Sequence, residues 1–578
     1  MFAHRAARSG PAGMTLIAFA LVLVGCDQPR ERAADLVLTN GRIVTVDSLL
    51  PEAQALAVRG DRILALGSSD DMADYIGEDT EVIDLAGRLA IPGFIEGHGH
   101  FLGIGQAKMI LDLTQAHSWQ EMVDMVAEAA RQAEPGEWIL GRGWHQEKWD
   151  ETPAGSVDGV PTHHGMSAVS PDNPVFLSHA SGHAAFANAL ALQLGRVSPE
   201  TPDPAGGEIV HDDRGEPTGL LRETAQGLVR QALNAYMEQR TPEQIEADLR
   251  KQVELAGAAA LANGITSFQD AGSTFEEIDF FKRLADEGAL PVRLYVMVRG
   301  ETPETLDARM DDYFMPDYGD NWLSVRSIKL VMDGALGPHG AWLLEPYEDM
   351  PKSAGLNLSP IAELEAAANV AIAHGYQVNI HAIGDRANRE VLDIYERVFA
   401  AHPDAPPLRW RIEHAQHLHP DDVRRMADLG VVAAMQGVHA TSDGPWVLKR
   451  LGERRAREGA YVWQDLWQAG VVVGNGTDAP VEDVSAIASY YATVSRRMNN
   501  GEIFFPEQRL SRMQALESYT LNNAYAAFEE DLKGSLAPGK LADIAVLSRD
   551  MLTIPEDEIP ETTVDFTILG GRIAYRAD

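Results

Sequence analysis

The sequence predicts an α/β fold: a (β/α)8, TIM-like barrel with a small β-sandwich-like domain assembled from both termini and an inserted subdomain. Three observations carry this. Eight apolar, strand-like runs alternate with helical patterns through the middle of the chain, the mark of a parallel sheet covered by helices. Two stretches of short strands and turns lie at opposite ends. Between the first and second runs lie about 160 residues, far more than one crossover helix requires.

With 578 residues the chain exceeds one simple domain and can bury a large core. Its 45% hydrophobic and 23% charged content is that of an ordinary globular protein. Asp and Glu outnumber Lys and Arg by 86 to 48, a net charge of −38 that repels nucleic acid and anionic membrane surfaces. A nucleic-acid partner is therefore not expected. A solvated acidic surface explains the charge without naming a substrate.

Taken in order, residues 1–26 read as a lipoprotein signal peptide. His4, Arg5 and Arg8 precede an apolar run from Met14 to Val24, too short to span a bilayer comfortably as a permanent helix. Leu23-Val24-Gly25-Cys26 resembles a lipobox, so Cys26, the single cysteine, is the expected lipidation site. The expectation is an exported bacterial lipoprotein, membrane-anchored on the periplasmic or cell-surface side. No disulfide can form within the chain.

Residues 35–90 and 532–578 form the expected composite β domain. The turns Thr39-Asn40-Gly41-Arg42-Ile43-Val44 and Leu569-Gly570-Gly571-Arg572-Ile573-Ala574 suggest hairpins of one small sheet domain. Residues 91–531 form the barrel. Its strand-like runs are Gly93 to Glu96, Gly264 to Phe268, Arg293 to Val298, Ser327 to Met332, Tyr376 to His381, Arg409 to His414, Val431 to Gln436 and Val471 to Gly474. Residues 102–240 contain the insertion. Helix N-caps are expected at Thr241-Pro242 with Gln244, at Ser359-Pro360, and at Ser511 with Gln514.

The chemistry sits at the ends of these runs. His98 and His100 follow the first, and the two-residue period of a strand aims both imidazoles the same way. Alone, such a pair reads more readily as hydrogen-bonding loop histidines, and it is the other ligand types that change this. Lys329 lies inside the fourth run, where it is either a snorkelling cation or, carboxylated by carbon dioxide, an anionic ligand able to bridge two metals. His381 and His414 end the fifth and sixth, at the end of the barrel where active sites sit. Asp478 follows the eighth and offers a hard oxygen that can bind metal and accept a proton. Together the six make a nitrogen and oxygen set suited to zinc or a similar divalent ion.

The segments Pro92-Gly93-Phe94-Ile95-Glu96-Gly97-His98-Gly99-His100, Lys329-Leu330-Val331-Met332-Asp333-Gly334, His381-Ala382-Ile383-Gly384-Asp385, Ile412-Glu413-His414-Ala415 and Gly476-Thr477-Asp478-Ala479-Pro480 resemble the amidohydrolase superfamily. They are more closely similar to its family 3 group, the YtcJ-like and N-substituted formamide deformylase-like proteins. The resemblance covers nearly all of residues 35 to 578. It implies metal-activated water attacking an amide-like carbonyl, with His98, His100, Lys329, His381, His414 and Asp478 at the metal-site positions and one or two ions. Glu96-Gly97 departs from the family's commoner aspartate and small residue. His183 resembles a family residue near the substrate that could donate a hydrogen bond, or is a structural loop histidine. Trp144 is a candidate pocket wall, Arg386 a candidate for a substrate carboxylate, and Asp333 either orients Lys329 or caps the next turn.

The expected function is metal-dependent hydrolysis of a C–N bond in an amide-like small molecule, with Asp478 as general base and His183 helping to stabilise the oxyanion. Deamination, or ester or lactone hydrolysis by the same site, is the same-class alternative. A surface-tethered binding lipoprotein without turnover is the alternative from another class. The expected partner is a small-molecule substrate, with a membrane reached through the lipid; a homodimer is left open.

Overall fold

The computed structural model describes residues 33–577 apart from 147, 148, 152, 154, 158–160, 180–183, 205, 206 and 338. Its centre is a parallel barrel of eight strands: β1 (Phe94–Gly99), β2 (Ile265–Ser273), β3 (Arg293–Arg299), β4 (Leu323–Val331), β5 (Gln377–Ala382), β6 (Arg411–His414), β7 (Val432–Gln436) and β8 (Val473–Gly476). Neighbours pair in chain order from β1 to β8. The seam between β8 and β1 is tied by Asp478 N donating to the His98 carbonyl at 2.8 Å and Thr477 N donating to the Glu96 carboxylate at 2.5 Å. The (β/α)8 architecture expected from the sequence is thus present. The eighth strand begins two residues later than the apolar run Val471 to Gly474 suggests, because Val471 N and Gly470 N still close the preceding helix onto Leu466 and Trp467.

Helices Pro242–Ala262 and Arg512–Ser518 start with capping boxes at Thr241/Gln244 and Ser511/Gln514. Ser359 does not cap: the helix Ile361–Ala373 starts after Pro360, with no side-chain cap. Among the described residues no helix is long and apolar enough to cross a membrane.

Strands from the two ends of the described chain make two further sheets, one of four strands and one of six, over a shared core that includes Leu38, Leu56, Ile83, Ile544 and Ile568. Leu89–Pro92 pairs antiparallel with Ile544–Leu547, which joins the two ends. The turn at Gly570 (φ 55°) and Gly571 (φ 75°) closes a hairpin between Val564–Leu569 and Arg572–Arg576. The turn at Asn40-Gly41 does not. Leu36–Thr39 enters the four-stranded sheet and Arg42–Val44 the six-stranded one, so the chain crosses between sheets there. Between β1 and β2 a separate six-stranded sheet carries its own apolar cores. Trp144 belongs to one of them, buried with its indole N–H on the Leu177 carbonyl at 2.9 Å.

Candidate metal centre

At the C-terminal ends of the barrel strands, donor atoms of buried His98, His414 and Asp478 lie within 4.8 Å of one another. This places strands β1 and β6 and the turn after β8 around one point. The other three expected ligands surround it. His100 Nε2 lies 3.3 Å from Asp478 Oδ1, Lys329 Nζ 3.4 Å from His98 Nε2, and the His381 ring centroid 4.4 Å from that of His414. Thus the structure brings all six together. His183 and Cys26 lie outside the described residues.

Backbone strain aims two of these groups. His414 (φ 74°) and Asp478 (φ 58°) adopt left-handed conformations that L-residues rarely take, and such strain persists where surrounding structure fixes a functional geometry. Close approach does the rest: a Cβ at Gly97 would lie 2.5 Å from the Asn475 carbonyl, so the residue between Glu96 and His98 must be small. Glu96 spans the barrel seam, and burial pushes its carboxyl up to about 8.

Two residues behind the metal set have a role that motif reading does not assign. Glu413 receives Arg411 through Nε at 2.7 Å and Nη2 at 2.9 Å, and its Oε2 binds His98 Nδ1. Burial works to raise Glu413, but Arg411, then His98, bring it down to about 2. With the carboxylate holding Nδ1–H, the Nε2 lone pair of His98 faces the site. The available signal is the alternation Arg411-x-Glu413, which sets a buried cation and a carboxylate on one side of a strand. In the same way Gln436 Oε1 meets His414 Nδ1 at 2.7 Å.

Burial, followed by Lys329, pushes His98 down to about 4 and His381 to about 3; burial and then His381 hold His414 well below the usual imidazole range. All three are neutral near pH 7, the metal-binding form. Burial also presses Lys329 down to about 8. Asp478 is opposed by burial, yet His100, His98 and His414 keep it ionised, far below an ordinary carboxyl. Among the described residues, His381 Nε2 is buried without a hydrogen-bond partner. Neutral imidazoles, an ionised carboxylate and an orphaned nitrogen converging on one point fit a divalent metal.

The amidohydrolase family matches residues 81–575. The chain belongs to it. This amidohydrolase is 35% identical to Protein LONG AFTER FAR-RED 3 of Arabidopsis thaliana over 95% of its own length and 92% of the relative's. It is 29% identical to the N-substituted formamide deformylase of Arthrobacter pascens, over 94% and 98%. A solved metal-dependent hydrolase from Pyrococcus horikoshii superposes with TM-score 0.71 at 27% identity, covering 90% of this chain and 99% of that one. The protein is a metal-dependent hydrolase of this superfamily.

Two weaker candidates take other places in this amidohydrolase. Asp333 accepts backbone amides of Trp342, Ile383 and Gly384 at 2.8 to 2.9 Å, so it shapes the loops above β4 and β5 and is not bonded to Lys329. Arg386 is exposed, stacked on Trp342 and 3.5 Å from Glu390.

Proposed function

We propose that the protein hydrolyses a C–N bond of an amide-like small molecule. The observation that carries this is the convergence of His98, His414 and Asp478, buried beneath the barrel mouth with Glu413 fixing His98 from behind. The likeness to an N-substituted formamide deformylase supports C–N over other bonds. Zinc suits the donor set, and such an ion supplies a Lewis acid and lowers the pKa of water toward neutrality. Lys329 takes part as a carbamate: its ammonium first gives up a proton, and the neutral Nζ then bonds carbon dioxide with loss of a second, so that a cation that would repel a dication becomes an anionic ligand.

Asp478 receives a proton from the attacking water as its oxygen bonds the carbonyl carbon. It returns that proton to nitrogen as the C–N bond breaks, leaving a carboxylic acid and an amine. Upstream, Cys26 is proposed as the acylated anchor residue that tethers the enzyme outside the cytoplasm; intact-mass measurement of the mature protein checks for the lipid.

The test combines metal analysis with a screen of N-acyl, N-formyl, carbamate and lactone substrates. Turnover of the C–N substrates is expected, with Asp478→Asn lowering kcat by about 100- to 10,000-fold at retained metal. A metal-replete protein that turns over none of them would overturn the reading.

A further inference from the structure

His439 lies on the helix Gly437–Gly459 that leaves β7 directly into the barrel mouth. The start of that helix is pinned by Gly437 N on Asn475 Oδ1 at 2.8 Å and Val438 N on Ser489 Oγ at 3.1 Å. The His439 ring stacks on that of His414, centroids 6.2 Å apart and planes 18° off parallel. It is 8% exposed, and its Nε2 is buried without a hydrogen-bond partner among the described residues. The acid one turn further along the helix, Asp443, is engaged elsewhere: its Oδ2 receives the Tyr461 hydroxyl at 2.5 Å and Gln416 Nε2 at 3.0 Å.

A buried polar atom without a partner opposes folding, so a fixed one beside a reaction centre points to a partner that arrives with the substrate. His439 is not one of the three donors, His98, His414 and Asp478, that lie within 4.8 Å of one another. Its ring lies against that of His414, one of the three converging donors.

We propose that His439 is a catalytic residue whose Nε2–H donates to the substrate's carbonyl oxygen as negative charge gathers there. This rests on the reading of the site as a hydrolase that adds water to a carbonyl. His439 forms and breaks no covalent bond; the donor stabilises the tetrahedral oxyanion and is left unchanged when the carbonyl reforms.

The experiment compares metal-loaded wild type, His439→Phe and His439→Gln for metal content, thermal unfolding, kcat and KM. It also measures calorimetric binding of methylphosphonate, a tetrahedral oxyanion. Loss of one such donor is typically worth about 100- to 1,000-fold in kcat, and that drop is expected for His439→Phe at wild-type metal content, with weakened methylphosphonate binding. His439→Gln, whose amide still donates, should recover part of both. A folded, metal-replete His439→Phe with wild-type kcat and methylphosphonate affinity overturns the proposal, and so does loss of metal in that variant, which would make His439 a ligand. If only esters or lactones are cleaved, the C–N reading fails, while the same dependence on His439 upholds this one. If nothing is turned over, methylphosphonate binding decides alone.

Discussion

Glu413 and His414 are adjacent, yet both touch His98: Glu413 bonds its Nδ1 and the His414 ring lies 4.7 Å away. A regular strand would send the two side chains to opposite faces. The positive φ of His414 turns its ring back over the mouth. Replacing Glu413 with Gln keeps the shape but puts a neutral amide before Nδ1, which loosens the tautomer and the ring. Metal affinity should fall by about 10- to 100-fold, read by competition with a chelator, while folding persists. Unchanged affinity would show that Arg411 and packing alone hold His98. The six residues that converge at the barrel mouth are legible in the sequence because they sit at or near strand ends and within recognisable segments. Glu413 is legible only in part: the Arg411-x-Glu413 alternation puts a cation and a carboxylate on one side of the strand, but both faces of a barrel strand are covered, so the pattern does not say which side faces the site.

At the scale of elements, patterns with a local cause are readable and those with a tertiary cause are not. Thr241/Gln244 and Ser511/Gln514 make capping boxes wherever those residues precede a helix. The turns at Asn40-Gly41 and Gly570-Gly571 look alike, but the first passes the chain between sheets, a choice made by which sheet needs the next strand. Beyond β6, the segment around His417 is held by His417 N on the Ile383 carbonyl at 2.9 Å and Asn388 Nδ2 on the His417 carbonyl at 3.1 Å. The His417 ring is buried, and burial alone pushes it from 6.5 down to about 3. In the unfolded chain it binds a proton below about pH 6.5 that the folded protein refuses. Its contribution is therefore fully present above that pH and is lost as pH falls toward 3, by an amount on the order of a few kcal/mol. His417→Phe should flatten the fall of Tm with acid between pH 6.5 and 4. An equally steep fall in the variant would place the acid sensitivity in other groups, the metal-site histidines foremost.

For the whole molecule, the question is what fastens the composite β domain to the barrel. Arg293, the first residue of β3, is 2% exposed and meets Asp543 through Nε at 2.8 Å and Nη2 at 3.3 Å. Asp543 precedes the strand Ile544–Leu547 that joins the two ends of the chain, and its Oδ1 also receives Gly570 N at 2.8 Å. The guanidinium gives its remaining face to the Asn321 carbonyl at 3.1 Å and to the Trp322 ring. Both ions are out of water, so removing one strands the other, which typically costs about 3–5 kcal/mol, whereas removing both together spares that penalty. Arg293→Met and Asp543→Leu should each lower stability by roughly that amount in denaturant unfolding, and the double variant should lose less than the sum of the two. The single variants should also show whether the joint is separate from the rest. If the β domain unfolds in its own early transition while metal stays bound, the pair is the clasp between two cooperative units. If one transition carries both, the barrel and the β domain fold as a single body, and the same pair holds the metal centre's scaffold from the far end of the strands.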